Sequence, residues 1–370
     1  MAVLIIVFII SVVFSVCAVS LVMRISHHKK WYDDINERKI HSGNIPRLGG
    51  IGFGSAFFIM AAGISIYFGI KGIDLTRFIP CGIAMVFILI SGAYDDFRPM
   101  SPSYKLLLQL VLAVLIIFKG FDFDRLLYTG GGFFSNLSYL SIPITAFWIV
   151  GITNAFNMID GVDGLAGGVS VIIAFFMGLI FFYFSPEASK SVLLCASLIG
   201  VLIGFLVFNA PFPQAKIFMG DCGSQFLGFT LALLPLMKET DQPSSLPLFY
   251  VASLFLIPIL DTTAAVWRRI RDGKKIYDPD KSHLHHKLIN MGLNVKKVDI
   301  VIFSVQIIIG LFTFIAVRME KEGEALKSLI ILGAGYLFAL LFFIAIHFLN
   351  RSAMKKNSEI NAGDNSPAAD

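Results

Sequence analysis

Long apolar runs alternate with short polar segments from one end of the chain to the other. Eleven runs can be marked, at about 2–23, 48–70, 78–94, 104–119, 141–156, 165–184, 190–208, 223–237, 246–266, 299–317 and 328–349. A helix needs roughly 20 apolar residues to cross the hydrocarbon core, and it satisfies its own backbone hydrogen bonds where no water is at hand. The pattern predicts an all-α fold, a polytopic integral membrane protein of about eleven transmembrane helices. The fifth run is short and holds Pro143. Residues 1–350 read as one membrane-embedded domain, and residues 351–370, ending NSEINAGDNSPAAD, as a polar, disordered tail. No soluble domain, linker or internal repeat is visible.

Charge orients this bundle. The first run is followed, not preceded, by Arg24, Lys29 and Lys30. A cleaved signal peptide has the opposite order, so the run reads as a first transmembrane helix with its N-terminus outside. With that start, the inside segments carry more than twice the Lys and Arg of the outside loops, as the positive-inside rule requires. The arrangement is N-out and C-in. The chain is 56% hydrophobic and 15% charged, against about a quarter charged in a soluble domain. A net charge of +5 held in loops suits membrane orientation and gives no reason to expect nucleic acid. Four scattered cysteines offer neither a disulfide framework nor a zinc spacing.

The distinctive polar residues fall in the inside loops. SGAYDDFRP sets Asp95 beside Asp96 where the third run emerges. Adjacent acids repel, so they favour a cation or a shared proton, although a solvated helix end would also carry them. NAFNMIDGVDGLAGG spaces Asn157, Asp160 and Asp163 by three, on one side of a helical turn. Its glycines allow close approach of a ligand or of a neighbouring helix. KIFMGDCGS places Asp221 between Gly220 and Gly223, where it can complete a cation site with Asp95 or Asp96. Phe218 offers a flat face to a base, or simply joins the core. DPDKSHLHHKL packs His283, His285 and His286 into four positions near Arg268, Arg269, Arg271, Lys274 and Lys275. Zinc binding is one reading of the histidines, and contact to phosphate is the other. Carboxylates without cysteine ligands point to a hard cation, and magnesium takes one or two of them together with substrate phosphates. The sum is phosphoryl transfer between a soluble charged donor and a lipid acceptor.

PRLGG, AYDDFRP, NAFNMIDGVDGLAGG, KIFMGDCGS and HLHH stand in the order found in the polyprenyl-phosphate N-acetylhexosamine-1-phosphate transferases of glycosyltransferase family 4. The chain resembles that family over about residues 38–290, most of all its undecaprenyl-phosphate N-acetylglucosamine-1-phosphate transferases. The resemblance implies a bacterial inner-membrane enzyme, multi-pass, with its active site facing the cytoplasm. It would move N-acetylglucosamine 1-phosphate from a UDP-sugar to undecaprenyl phosphate, release UMP, and so initiate an O-antigen, common-antigen or teichoic-acid type of polysaccharide.

By the same resemblance Asp95, Asp96 and Asp221 are the metal-associated catalytic acids, with magnesium as cofactor and manganese as its substitute. Asn157, Asp160, Asp163 and Phe218 would bind uridine. His283 as a catalytic group, with His285, His286 and Arg269, would meet the donor phosphate or sugar, and Arg47 of PRLGG would bind substrate. The implied partners are a UDP-amino sugar, undecaprenyl phosphate and the bilayer, with a homodimer left open. The related phospho-MurNAc-pentapeptide transferases carry three consecutive histidines and a PTxGG-type segment; here Leu284 interrupts the histidines and Pro46-Arg47 precedes the glycines. Outside the enzyme class the rival is a transporter of nucleotide-sugar or lipid-linked sugar. Transporters place ionisable groups at midplane in broken helices, often with internal repeats.

Overall fold

The computed structural model describes residues 1–32, 44–70, 78–124, 140–184, 189–210, 214–237, 246–278 and 280–364, with side chains to 355. Among these residues the protein is helical throughout, with no strand. Thirteen helices follow one another: α1 (Ala2–Lys29), α2 (Gly49–Ile70), α3 (Ile79–Phe97), α4 (Pro102–Ile117), α5 (Ser141–Ile159), α6 (Leu165–Phe184), α7 (Lys190–Asn209), α8 (Gly220–Leu233), α9 (Leu248–Leu254), α10 (Leu256–Arg271), α11 (Leu284–Asn290), α12 (Val295–Lys321) and α13 (Ala325–Asp364).

Each of the eleven predicted runs meets a helix. Among the described residues, eight helices are long and apolar enough to cross a bilayer, and a ninth crossing is added if α9 and α10 count as one. The two shorter members are α4 with 16 residues and α8 with 14. At 1.5 Å per residue they reach only about 24 and 21 Å. For α8 that is enough, because Cys222–Leu233 are buried among its neighbours and never meet lipid. Helix α13 continues past residue 350 to Asp364, into the stretch expected to be a disordered tail; the last six residues of that stretch lie outside the described set.

Helices α9 and α10 meet at an angle of 83°. The cause is Pro258 in the first turn of α10. A proline lacks the N–H and its ring clashes with the carbonyl four residues back, here that of Leu254. That carbonyl would be orphaned in a buried setting, and Gln306 of α12 donates to it through Nε2 at 2.8 Å. The bend sends α10 off the line of the preceding span.

A second device fixes α8. The segment 46–50 lies along residues 218–219: Phe218 N–H donates to Pro46 O (2.8 Å), Gly49 N–H to Phe218 O (2.9 Å) and Gly50 N–H to Met219 O (2.9 Å). The Phe218 and Met219 carbonyls satisfy amides at the start of α2 that have no partner within the helix. Gly50 is required by crowding, since an added Cβ would run into the Gly223 backbone. Gly220 is required by conformation, with φ at +73° just ahead of Asp221. Gly50→Val is expected to cost about 1–3 kcal/mol, as for other overpacked cores. A melting curve in detergent would check this, an unchanged midpoint refuting the close approach.

Candidate active site

Three distant segments meet at the ends of α3, α4, α5 and α8. Asp95 and Asp96 close α3, and successive side chains on a helix diverge, so the two carboxylates part company. Asp95, 5% exposed, accepts from Met100 N–H (2.6 Å) and forms an ion pair with Lys105 of α4. Asp96 turns to α8 instead. It accepts from the Asp221 and Cys222 amides at 2.9 and 3.1 Å and pairs with Arg47 at 2.8 Å. A carboxylate there serves as a cap supplied from another helix, and it complements the positive end of the α8 dipole.

Asp221 faces the other way. Its Oδ2 lies 2.9 Å from Lys105 Nζ, and its Oδ1 accepts from Asn157 Nδ2 at 3.0 Å. Asn157 also donates to Ser224 Oγ at 2.8 Å. Lys105 thus stands between Asp95 and Asp221, and one ammonium is shared by two carboxylates. Among the described residues no three His, Cys, Asp or Glu side chains form a cage for a metal ion. The oxygen pair nevertheless suits magnesium, which takes few protein carboxylates and completes its shell with phosphates and water. Both Asp96 oxygens are engaged elsewhere, so Asp95 and Asp221 are the acids that already face a common cation.

The turn after α5 continues the site. Asp160 is partly buried at the α5 C-terminus; burial, then the negative charges of Asp221 and Asp96, push its carboxyl up to about 7. Asp163 accepts from the Ala215 amide at 3.1 Å. Asn209 accepts from Gly164 N–H (3.0 Å) and donates to Ile217 O (3.0 Å). Together Asp163 and Asn209 fasten the segment that leads to Phe218. Phe218 itself is half-buried, with its backbone bound to the 46–50 segment.

The histidines form an arm over this turn. Asp261 of α10 accepts from His283 Nδ1 (2.8 Å) and from the Leu284 amide (2.7 Å). One carboxylate thus orients a ring and caps α11. A carboxylate accepts, so Nδ1 carries the proton and Nε2 is left to act. His285 is 1% exposed and packs so closely on Gly161 that a Cβ there would overlap its ring. Burial, then neighbouring His286, lowers His285 to about 3, so its imidazole is neutral at physiological pH. His286 is half-exposed beside it, with ring centroids 4.2 Å apart. Arg269 donates to the Ile276 carbonyl at 2.7 Å and shapes the 272–278 turn, while Arg268 pairs with Asp280 at 2.5 Å.

The predicted residues therefore gather into one region. Asp95, Asp221 and Asn157 form its charged centre with Lys105. Asp160, Asp163 and Phe218 line the adjoining turn, and the histidines lie above it. Asp96, paired with Arg47, and Arg269 brace backbone segments around them. Sequence reasoning missed Lys105 and Asp261. The first reads as one more positive-inside charge; the second is an acid inside an apolar run, a signal that was present.

Residues 78–239 match glycosyl transferase family 4. A probable undecaprenyl-phosphate N-acetylglucosaminyl 1-phosphate transferase from Bacillus subtilis (strain 168) is 33% identical over 355 residues, covering 93% of this chain and 90% of that protein. The chain belongs to glycosyl transferase family 4. The undecaprenyl-phosphate alpha-N-acetylglucosaminyl 1-phosphate transferase of Escherichia coli (strain K12) is 31% identical over 278 residues, 73% of this chain and 72% of that one. Its counterpart from Yersinia pestis is 30% identical over 295 residues, with 78% and 77% covered. The matched family 4 window contains Asp95, Lys105, Asn157 and Asp221, and the histidine arm lies beyond it.

Proposed function

We propose that this family 4 protein transfers N-acetylglucosamine 1-phosphate from UDP-N-acetylglucosamine to undecaprenyl phosphate, releasing UMP, at the cytoplasmic face of a bacterial inner membrane. The observation that carries this reading is the convergence of Asp95, Lys105, Asn157 and Asp221 on one point beside an anchored histidine arm. The relatives' names support the acceptor and the transferred group, the reaction class implies a sugar-nucleotide donor, and the charge bias of the loops supports the orientation.

In this reaction an oxygen of the acceptor phosphate forms a bond to the β-phosphorus of the donor. The bond from that phosphorus to the bridging oxygen breaks, and UMP leaves with the electron pair. The acceptor phosphate is already ionised near neutrality, so no strong base is required. What remains is positioning and charge neutralisation. Lys105 can turn from its two carboxylates toward a phosphate oxygen. Asp95 and Asp221 would hold magnesium, which when bound would neutralise charge developing on the transferring phosphoryl group. Asp160, whose carboxyl burial and the charges of Asp221 and Asp96 push toward the protonated form, is placed to meet the nucleoside. His283, held by Asp261, presents Nε2 to the donor diphosphate or sugar.

The deciding experiment uses purified protein in liposomes containing undecaprenyl phosphate. UMP should appear from UDP-N-acetylglucosamine only when both acceptor and magnesium are present. Uptake of intact nucleotide-sugar without UMP would favour a transporter. UMP release from other UDP-amino sugars alone would move the donor assignment.

A further inference from the structure

Three residues of the charged centre each have an amide side chain one turn deeper on the same helix face. Lys105 is followed by Gln109 on α4, Asp221 by Gln225 on α8, and Asn157 is preceded by Asn154 on α5. Spacings of three and four residues place such pairs one above the other. The three amides meet: Asn154 Nδ2 donates to Gln109 Oε1 at 2.6 Å, and Gln109 Nε2 donates to Gln225 Oε1 at 3.1 Å. Gln109 and Gln225 are 1% and 3% exposed.

This chain of amides lies within the bundle, where hydrophobic side chains would serve packing equally well. It links the three helices that supply Lys105, Asn157 and Asp221, and it fixes their axial registers relative to one another. Asn154 is further tied to its own helix through the Val150 carbonyl, at 2.8 Å. The remaining Gln225 Nε2 donor is buried without a partner. A group retained with an unmet hydrogen bond is a poor choice for stability alone.

We infer that Gln109, Asn154 and Gln225 are positioning residues for the transfer reaction, holding Lys105, Asn157 and Asp221 in mutual register. The inference rests on the proposed site. It acts through geometry: a misplacement of about 1 Å costs on the order of 10²-fold in rate. Replacing every partner in a polar cluster by apolar groups of similar shape can leave stability nearly unchanged. The triple variant Gln109→Leu, Asn154→Leu, Gln225→Leu therefore separates register from stability.

The test compares kcat, donor KM and the melting midpoint of wild-type and triple-variant protein in the same detergent. The expected result is a midpoint within a few degrees, a nearly unchanged donor KM, and kcat lower by about 10- to 100-fold. A kcat within about threefold of wild type overturns the inference, as does a rate loss that follows the loss of folded protein. If the triple variant does not accumulate, Gln225→Leu is read by the same criteria. Lys105→Ala and Asp221→Asn are measured alongside. Near-normal rates for these two would show that the site itself is misassigned. Their failure alone, with the leucine variants active, sinks only the positioning role.

Discussion

Asp221→Asn is expected to lower turnover by about 10²- to 10³-fold, the range seen when one preorganised electrostatic contact is removed from an active site, while the protein still inserts and folds. The asparagine retains an oxygen for the Asn157 amide, which now bonds Asp221 at 3.0 Å. The cap of α8 is untouched, because it is made by the Asp96 carboxylate with backbone amides. What disappears is the negative charge opposite Lys105, and with it half of the carboxylate pair offered to a divalent cation. The measurement is the initial rate of UMP release, normalised to monodisperse protein on size exclusion. A rate within tenfold of wild type would remove Asp221 from the chemistry.

Asp261→Ala should be nearly as damaging, for a different reason. Its two oxygens hold His283 Nδ1 and the Leu284 amide. Without them a buried N–H loses its acceptor, at a cost of about 1–3 kcal/mol, and α11 loses its cap, worth about 1 kcal/mol. The ring is then free to turn away from the substrate. Loss of the orienting partner of a metal-bound histidine typically costs about 10- to 100-fold, and a fall of about that size is expected here in kcat/KM for the donor. If Asp261 works through the ring, Asp261→Ala combined with His283→Ala will be little worse than His283→Ala alone. Additive losses would assign Asp261 a separate task.

The helices were legible because lipid leaves the chain little choice: each apolar run of sufficient length must close its own backbone bonds. The elbow at Phe255 was not, although Pro258 lies in plain view. A proline within an apolar run marks a kink, but the turn of 83° also needs Gln306 to relieve Leu254, and that contact joins residues 52 apart. The acids illustrate the same boundary. Asp95, Asp96 and Asp221 stood out as a set, yet nothing local told the helix-capping Asp96 from the Asp95 that meets Lys105. Their roles diverge because neighbouring positions on α3 point to different helices. Lys105 meets Asp221 across 116 residues, so its place in the site exists only once α4 and α8 have packed. The histidines were visible as a cluster, but their holder sits in an apolar stretch read as a span.

The elbow has a mechanical corollary. Asp261 is three residues beyond Pro258, so the imidazoles hang from a rod whose heading is set by an imino acid sunk in the protein interior. The imidazoles at its far end are in effect steered from within the bundle, and anything that straightened the rod would carry the whole arm away from the aspartates.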